Sequence, residues 1–248
     1  MKIVIIGGTG LIGRKTAALL QASGIEAVAA SPSTGVDAFT GNGLTEALQG
    51  AQVVIDASNA PSWEPSAVME FFQTSTRNLL AAESAAGVTH HVAVSVVGAE
   101  RMPGSGYMPA KIAQESAIQA GPIPYTILRA TQFFEFIPAI AESGLADGVI
   151  HVPAVQFQPI AADDLAAAVA RIATAAPLNT TIEIAGPDRK AMKHFADLLF
   201  AAKQDPRPIV SDPSAGYFGA KVDDRSLTPD DNAQLGKTHY EDWLTRLT

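Results

Sequence analysis

The chain has 248 residues, of which 47% are hydrophobic and 17% are charged, and its formal net charge is −8 at pH 7. These values predict an acidic globular protein, and the lack of a basic cluster argues against a nucleic-acid partner. Cysteine is absent, which excludes disulfides and thiolate chemistry, and no apolar run approaches the roughly 18 residues that span a bilayer. We expect a cytoplasmic protein with a small-molecule substrate and no membrane partner, with monomer and homodimer both open.

Strand and helix patterns alternate along the first 130 residues. The predicted strands cover residues 1–6, 25–30, 36–39, 53–57, 91–97 and 125–129. The predicted helices cover residues 11–22, 43–49, a long segment from Pro65, and 109–120. Strands separated by helices imply right-handed crossovers and a parallel sheet covered on both faces. We therefore expect residues 1–130 to form a Rossmann core.

The pattern is looser after residue 131. Helices are predicted over residues 133–146, 163–175, 191–202 and about 240–247, with one or two strands in 149–160 and another over 181–185. We expect residues 131–248 to complete the sheet and to form a small C-terminal substrate lobe. The predicted fold class is therefore α/β, a Rossmann-type doubly wound parallel sheet with that lobe.

Three glycines follow the first strand at intervals of three residues. Gly7 allows a tight turn, Gly10 lets backbone amides approach a pyrophosphate, and Gly13 permits close packing of the next helix. The start of that helix favours an anion through its unpaired amides and its dipole. The expected dinucleotide contacts are Gly7, Thr9, Gly10, Leu11 and Ile12, together with Ala57 and Ser58 at the end of the fourth predicted strand.

The end of the second strand indicates which nucleotide binds. A site for NAD usually has a carboxylate there, about 20 residues after the glycines, whereas this chain has Ser31, Ser33 and Thr34. Hydroxyls, with Arg14 and Lys15 nearby, suit a 2′-phosphate. We predict NADP (NADPH) rather than NAD; the alternative is that this segment is only a turn and that either nucleotide binds.

Several motifs together resemble the atypical short-chain dehydrogenase/reductases, and more closely their NmrA-like, NAD(P)H-binding branch. Beyond the glycine turn, the resemblance rests on Ser95 and on Tyr107-Met-Pro-Ala-Lys111. The resemblance extends over most of the chain and includes matching segments at residues 76–80, 124–131, 158–164 and 182–187.

The resemblance implies a catalytic set. Tyr107 would protonate a carbonyl oxygen, Lys111 would bind the nicotinamide ribose and lower the pKa of Tyr107, and Ser95 would hold the carbonyl. Phe133 and Phe134 are expected beside the substrate pocket. The implied function is an NADPH-dependent oxidoreductase acting on a small carbonyl or quinone-like acceptor. The alternatives are a non-catalytic NADP-binding redox sensor and an isomerase or epimerase.

Two departures from the family pattern bear on that set. Pro109 disfavours a helical Met108, so Tyr107 and Lys111 are not expected to lie one turn apart on a helix. Phe72 replaces an asparagine that many relatives carry, which argues against a water relay there. Two further expectations concern residues outside the set. Trp63 and Trp243 are assigned to packing, and no metal site is expected at His90 and His91.

Overall fold

The structure is a computed structural model that describes residues 1–246. Leu247, at the end of the predicted terminal helix, lies outside the described residues. The strands are β1 Lys2–Ile6, β2 Glu26–Ala30, β3 Val53–Asp56, β4 His90–Val96, β5 Tyr125–Ala130, β6 Leu145–Ala146, β7 Val149–Pro153, β8 Gln156–Phe157, β9 Thr180–Ala185, β10 Lys190–Ala191, β11 Ile209–Asp212 and β12 Gln234–Leu235. The helices are α1 Leu11–Ala22, α2 Leu44–Leu48, α3 Pro65–Ala86, α4 Met108–Ala120, α5 Ile137–Glu142, α6 Ala162–Ala173, α7 Met192–Ala202 and α8 Tyr240–Leu244.

Within residues 1–246, seven strands form the central sheet, in the order β12-β9-β5-β4-β3-β1-β2. The pairs of β1 with β2 and β3, of β3 with β4, and of β9 with β12 are parallel. The order reverses at β1, which has β2 on one side and β3 to β5 on the other. Ligands of such sheets bind at the carboxyl ends of the strands beside this switch point. The arrangement confirms the predicted Rossmann-type α/β fold.

Apolar side chains of the strands and helices form the core beside β1 and β3. Val4 and Val54 pack in one buried cluster with Leu44, Leu48 and Leu79, which come from α2 and α3. The stripe of apolar residues on α3 therefore faces the core, as its 3.6-residue period predicts.

The predicted strand at residues 36–39 is wrong. Gly35 has a φ of +85° after a 3-10 turn, and Asp37 Oδ1 accepts a hydrogen bond from the Phe39 amide at 2.8 Å. Because these local turns use the backbone donors, the segment does not join the sheet, although Ala38 is buried in the core.

The predicted helix over residues 133–146 is shorter in the structure. It contains a 3-10 turn at Phe134–Phe136 followed by α5, and the chain then enters β6. A Cβ on Gly144 would lie 2.0 Å from the carbonyl oxygen of His151, so the chain turns tightly there against β7. Strands β11 and β12 are short and lie in the Pro- and Asp-rich region where only loops are expected.

The chain divides into two compact units. The first contains residues 1–95, 106–129 and 165–182, and the second contains residues 96–105, 130–164 and 183–248. The glycine turn, Tyr107 and Lys111 belong to the first unit, and Phe133 and Phe134 belong to the second. Across residues 1–246, no helix has both the length and the hydropathy needed to cross a bilayer.

Candidate active site

The turn after β1 has no room for a Cβ at Gly7, Gly8 or Gly13. Gly7 has a φ of +73°, and a Cβ built on it would lie 2.5 Å from the carbonyl oxygen of Ala57, just after β3. A Cβ on Gly13 would lie 2.3 Å from the oxygen of Gly7, so α1 packs directly onto the turn. Gly8, outside the predicted three-glycine pattern, is confined as well, because its Cβ would lie 2.6 Å from Ala29 Cα. These contacts place the start of α1 at the carboxyl edge of the sheet.

The N-terminus of α1 suits an anion. Gly10 is its N-cap in an extended conformation, no side chain in the described chain caps this end, and its first turn has no acidic residue. First-turn amides lack partners within a helix and lie at the positive end of its dipole. This is the geometry that binds a pyrophosphate, and it fits the predicted contacts at Thr9, Leu11 and Ile12.

Three hydroxyl groups follow β2. Ser31 Oγ and Ser33 Oγ are 2.9 Å apart, and Thr34 Oγ1 accepts a hydrogen bond from the Ser31 amide at 2.9 Å. Ser31 is buried, Ser33 and Thr34 are exposed, and residues 27–36 contain no carboxylate. Hydroxyl donors without a carboxylate suit a ribose 2′-phosphate better than a pair of ribose hydroxyls.

Asp56 ends β3 as a buried carboxylate that no motif in the sequence marks. Its Oδ1 accepts hydrogen bonds from the Ser58 amide at 3.0 Å and the Ser58 hydroxyl at 2.6 Å. Its Oδ2 accepts one from Gln114 Nε2 at 2.9 Å. Asp56 therefore holds the predicted cofactor contact Ser58 in place. The sequence does contain a feature that indicates this role. An acidic residue at the end of an apolar strand needs hydrogen-bond partners if it is buried.

Tyr107 and Lys111 lie one helical turn apart, contrary to the expectation drawn from Pro109. Tyr107 has right-handed helical backbone angles, and Met108 is the first residue of α4. The Lys111 backbone amide donates to the backbone carbonyl oxygen of Tyr107 at 3.2 Å. Pro109 lies in the first turn, where its missing amide hydrogen has no intrahelical acceptor in any case. Burial of the Met108 side chain favours the helical backbone over the local preference of a residue before proline.

Lys111 is buried among partners from its own unit. Its Nζ donates to the Val94 carbonyl at 3.0 Å and to Gln114 Oε1, and it lies 4.4 Å from the centroid of the Phe72 ring. Burial lowers the pKa of Lys111 to about 8, although Asp56 and Glu115 act in the opposite direction. Phe72, in place of the relatives' asparagine, gives this ammonium an aromatic face.

Tyr107 is half-buried and points its hydroxyl at the loop after β3. The hydroxyl donates to Asn59 Oδ1 at 3.0 Å, and the ring meets the Phe72 ring edge-on at 5.7 Å. Burial raises the pKa of Tyr107, and the negative charge of Asp56 adds to the effect. The expectation that Lys111 lowers this pKa is therefore wrong. Asn59, which the motifs do not mark, is the partner of the hydroxyl.

Ser95 lies at the end of β4 with its hydroxyl engaged by a buried carboxylate. Its Oγ donates to Glu115 Oε1 at 2.5 Å. Arg129 binds both oxygens of the same carboxylate, at 2.9 and 2.7 Å. The structure thus places Ser95, Tyr107 and Lys111 in one unit and gives their polar atoms different partners.

The predicted aromatic pocket residues lie in the second unit. Phe134 is fully buried, with ring centroids 4.9 Å from Tyr240 and 5.6 Å from Trp243, and Phe133 is half-buried. Trp243, which is 8% exposed, packs as expected. Trp63 does not, because 68% of it is exposed, so its assignment to packing is wrong.

His90 and His91 bind neighbouring side chains in the core. His91 Nδ1 lies 2.8 Å from Glu83 Oε1, and both side chains are inaccessible to solvent. His90 Nε2 lies 3.0 Å from Thr126 Oγ1, and burial lowers the pKa of His90 to about 4. Within the part of the chain that the structure describes, no group of three or more histidine or acidic side chains forms a metal site.

Taken together, the glycine turn at the sheet's switch point and the Tyr107–Lys111 pair define a nucleotide-binding protein of the atypical short-chain dehydrogenase/reductase class. The family model for NAD(P)H-binding proteins matches residues 7–176, and the chain belongs to that family. This result confirms the resemblance drawn from the motifs. No curated protein matches the sequence significantly.

Solved structures share this fold over nearly their whole length. MoeE5 in complex with UDP-glucose and NAD has a TM-score of 0.79 at 17% identity, covering 99% of this chain and 96% of that one. The NADPH-dependent quinone oxidoreductase QOR2 from Escherichia coli, complexed with NADPH, has a TM-score of 0.74 at 22% identity, covering 99% of both chains. UDP-N-acetylglucosamine 4-epimerase from Bacillus cereus has a TM-score of 0.70 at 15% identity, covering 100% and 97%. At these identities the likeness establishes the fold alone.

Proposed function

We propose that the protein is an NADPH-dependent oxidoreductase that reduces a small carbonyl or quinone-like acceptor, with Tyr107 as the proton donor. The observation that carries this proposal is the hydrogen bond from the Tyr107 hydroxyl to Asn59 Oδ1. It orients a phenol proton beside the loop after β3, at the edge of the sheet where such folds hold their ligands. Family membership supports a nicotinamide cofactor, and the hydroxyls after β2 support NADPH as its form.

The chemistry follows from these groups. Reduced nicotinamide, when bound, supplies a hydride to the acceptor carbon. The carbonyl electron pair moves to the acceptor oxygen, which takes the proton of the Tyr107 hydroxyl, and the phenolate recovers a proton from solvent. The raised pKa of Tyr107 keeps this proton in place at neutral pH. Lys111 lies one turn along α4, with its ammonium held by the Val94 carbonyl and Gln114 Oε1.

A second candidate function is a non-catalytic, NADP-binding redox sensor. The observation that favours it is the engagement of two residues of the catalytic set inside the protein. Ser95 Oγ donates to Glu115, and Lys111 Nζ donates to Val94 and Gln114. A sensor needs the nucleotide turn but no proton donor.

Turnover of Tyr107→Phe distinguishes the two candidates. We expect the parent to oxidise NADPH with at least one member of a carbonyl and quinone panel, followed by absorbance. Loss of the hydroxyl is expected to lower kcat by about 10²–10⁴-fold. Tyr125→Phe, a matched change at the start of β5, is expected to leave kcat unaltered. Calorimetric binding of NADP without oxidation by any acceptor would favour the sensor, and an unaltered kcat in Tyr107→Phe would remove Tyr107 from the mechanism.

A further inference from the structure

Trp63 is an exposed indole in the loop between β3 and α3. At 68% exposed, it is the most exposed large hydrophobic side chain among residues 1–246. The loop follows the carboxyl end of β3, beside the point where the strand order reverses. An exposed tryptophan at this edge, rather than on a remote surface, suggests contact with a ligand.

The indole lies beside the proposed proton donor. The ring centroids of Trp63 and Tyr107 are 6.0 Å apart, with their planes inclined by 43°. Tyr107 in turn rests edge-on against the fully buried ring of Phe72. The three rings therefore run from the core to the solvent, and the hydroxyl of the middle ring donates to Asn59 Oδ1.

The chain around Trp63 is restrained on both sides. The Glu64 amide donates to Ser62 Oγ at 3.1 Å, and Pro65 begins α3 immediately afterwards. Gly106 packs against Pro65 so closely that a Cβ there would lie 2.6 Å from its Cγ. This contact ties the residue before Tyr107 to the residues after Trp63. A restrained indole, with only two side-chain torsions, orders at low entropic cost when a ligand binds.

We propose that Trp63 determines acceptor specificity by stacking a planar, conjugated carbonyl compound of the quinone class, whose oxygen reaches the Tyr107 hydroxyl. The inference rests on the proposed function and names its substrate class. An electron-poor conjugated ring suits the electron-rich face of the indole, and a saturated ring has no π-face to stack. Trp63 therefore selects flat acceptors and contributes little to the reduction of saturated ketones.

Steady-state kinetics with a naphthoquinone and a saturated cyclic ketone test the inference. Trp63→Leu is expected to raise KM for the naphthoquinone by about tenfold, as stacking energies imply, and to leave kinetics with the ketone unaltered. Trp63→Phe is expected to keep the KM for the naphthoquinone close to that of the parent, because phenylalanine keeps an aromatic face. Leu178→Ala, which truncates another exposed apolar side chain, serves as the control and is expected to change neither KM. An unaltered naphthoquinone KM in Trp63→Leu would overturn the inference while leaving the proposed reductase in place.

Binding without turnover separates this inference from the proposed function. The chain has two tryptophans, and Trp63→Leu leaves only the buried Trp243. With NADP⁺ bound, naphthoquinone is expected to quench the fluorescence of the parent saturably, and to quench Trp63→Leu far less. Equal quenching in both proteins, or a weakened affinity of Trp63→Leu for NADP⁺ itself, would overturn the role of Trp63. Saturable quenching through Trp63 without any NADPH oxidation would contradict the proposed reductase and retain the aromatic binding site.

Discussion

Replacing Lys111 with methionine removes a buried ammonium and keeps most of the side-chain volume. In the parent, burial lowers the pKa of Lys111 from 10.5 to about 8, against the opposing effects of Asp56 and Glu115. Lys111 is 2% exposed, so solvent screens this effect little. At ~1.4 kcal/mol for each pKa unit, the gap between the two pKa values corresponds to about 3 kcal/mol.

The sign of the pH dependence follows from the number of bound protons. Between the folded pKa of about 8 and the unfolded pKa of 10.5, the unfolded chain holds the Lys111 proton that the folded protein has released. The free energy of unfolding therefore rises with pH across this window and is flat, for this group, on either side of it. From about pH 7 to about pH 11, the free energy of unfolding of the parent is expected to rise by about 3 kcal/mol relative to that of Lys111→Met.

Urea unfolding of both proteins, followed by circular dichroism across this pH range, measures the difference. Tyr107 and the other titrating groups are present in both chains, so subtracting the two curves isolates Lys111. Two parallel curves would refute the reasoning, because they would mean that Lys111 keeps its ordinary pKa and is not enclosed by Val94, Gln114 and Phe72.

Three other substitutions test the nucleotide turn, the nucleotide preference and a buried pair. Gly13→Ala places a methyl group 2.3 Å from a turn carbonyl, so NADP affinity in calorimetry is expected to fall at least about tenfold. Ser31→Asp is expected to weaken NADP and strengthen NAD in the same assay, because a carboxylate repels a 2′-phosphate. Glu83→Gln breaks the buried pair with His91 and is expected to cost about 3–5 kcal/mol in urea unfolding. Burial opposes protonation of His91, but Glu83 raises its pKa above 6.5, so this loss is largest below about pH 6.5 and shrinks as pH rises through the folded pKa.

Each of these substitutions has a matched control. Gly104→Ala adds a methyl group where, apart from the two neighbouring residues, the described structure has no atom within 4 Å of the new Cβ. Ser23→Asp and Glu70→Gln repeat the other two changes at exposed positions. Unchanged NADP binding by Gly13→Ala would contradict the packing of α1 on the turn. An unchanged nucleotide preference in Ser31→Asp would separate this residue from the ribose, and equal stability losses for Glu83→Gln at low and high pH would show that His91 does not carry the proton.

Local sequence patterns were sufficient for most of the fold. The apolar strand before Gly7 and the apolar stripe of α3 each bury themselves in the way that their period predicts. The segment at residues 36–39 shows the limit of such patterns, because Asp37 and Gly35 satisfy its backbone by turns. A short apolar run in the sequence does not show whether its backbone amides and carbonyls pair with a neighbouring strand or with local turns.

The candidate site shows the same division in sharper form. The family resemblance drew attention to Tyr107 and Lys111, but a local rule about residues before proline predicted the wrong backbone at Met108. Packing of the buried Met108 side chain outweighed the preference of a residue before proline for extended φ and ψ angles. Asn59 carries no motif and is recognised only through its contact with the Tyr107 hydroxyl.

The sequence by itself determined the Rossmann class and the nucleotide turn, because glycine spacing and hydrophobic period are properties of neighbouring residues along the chain. Only the tertiary structure decided that Lys111 points at Val94 and Gln114, and that Trp63 is exposed beside Tyr107. Those outcomes depend on which strand and helix ends meet at one edge of the sheet. Burial and hydrogen-bond partners there come from residues far apart in the chain, so no local pattern encodes them.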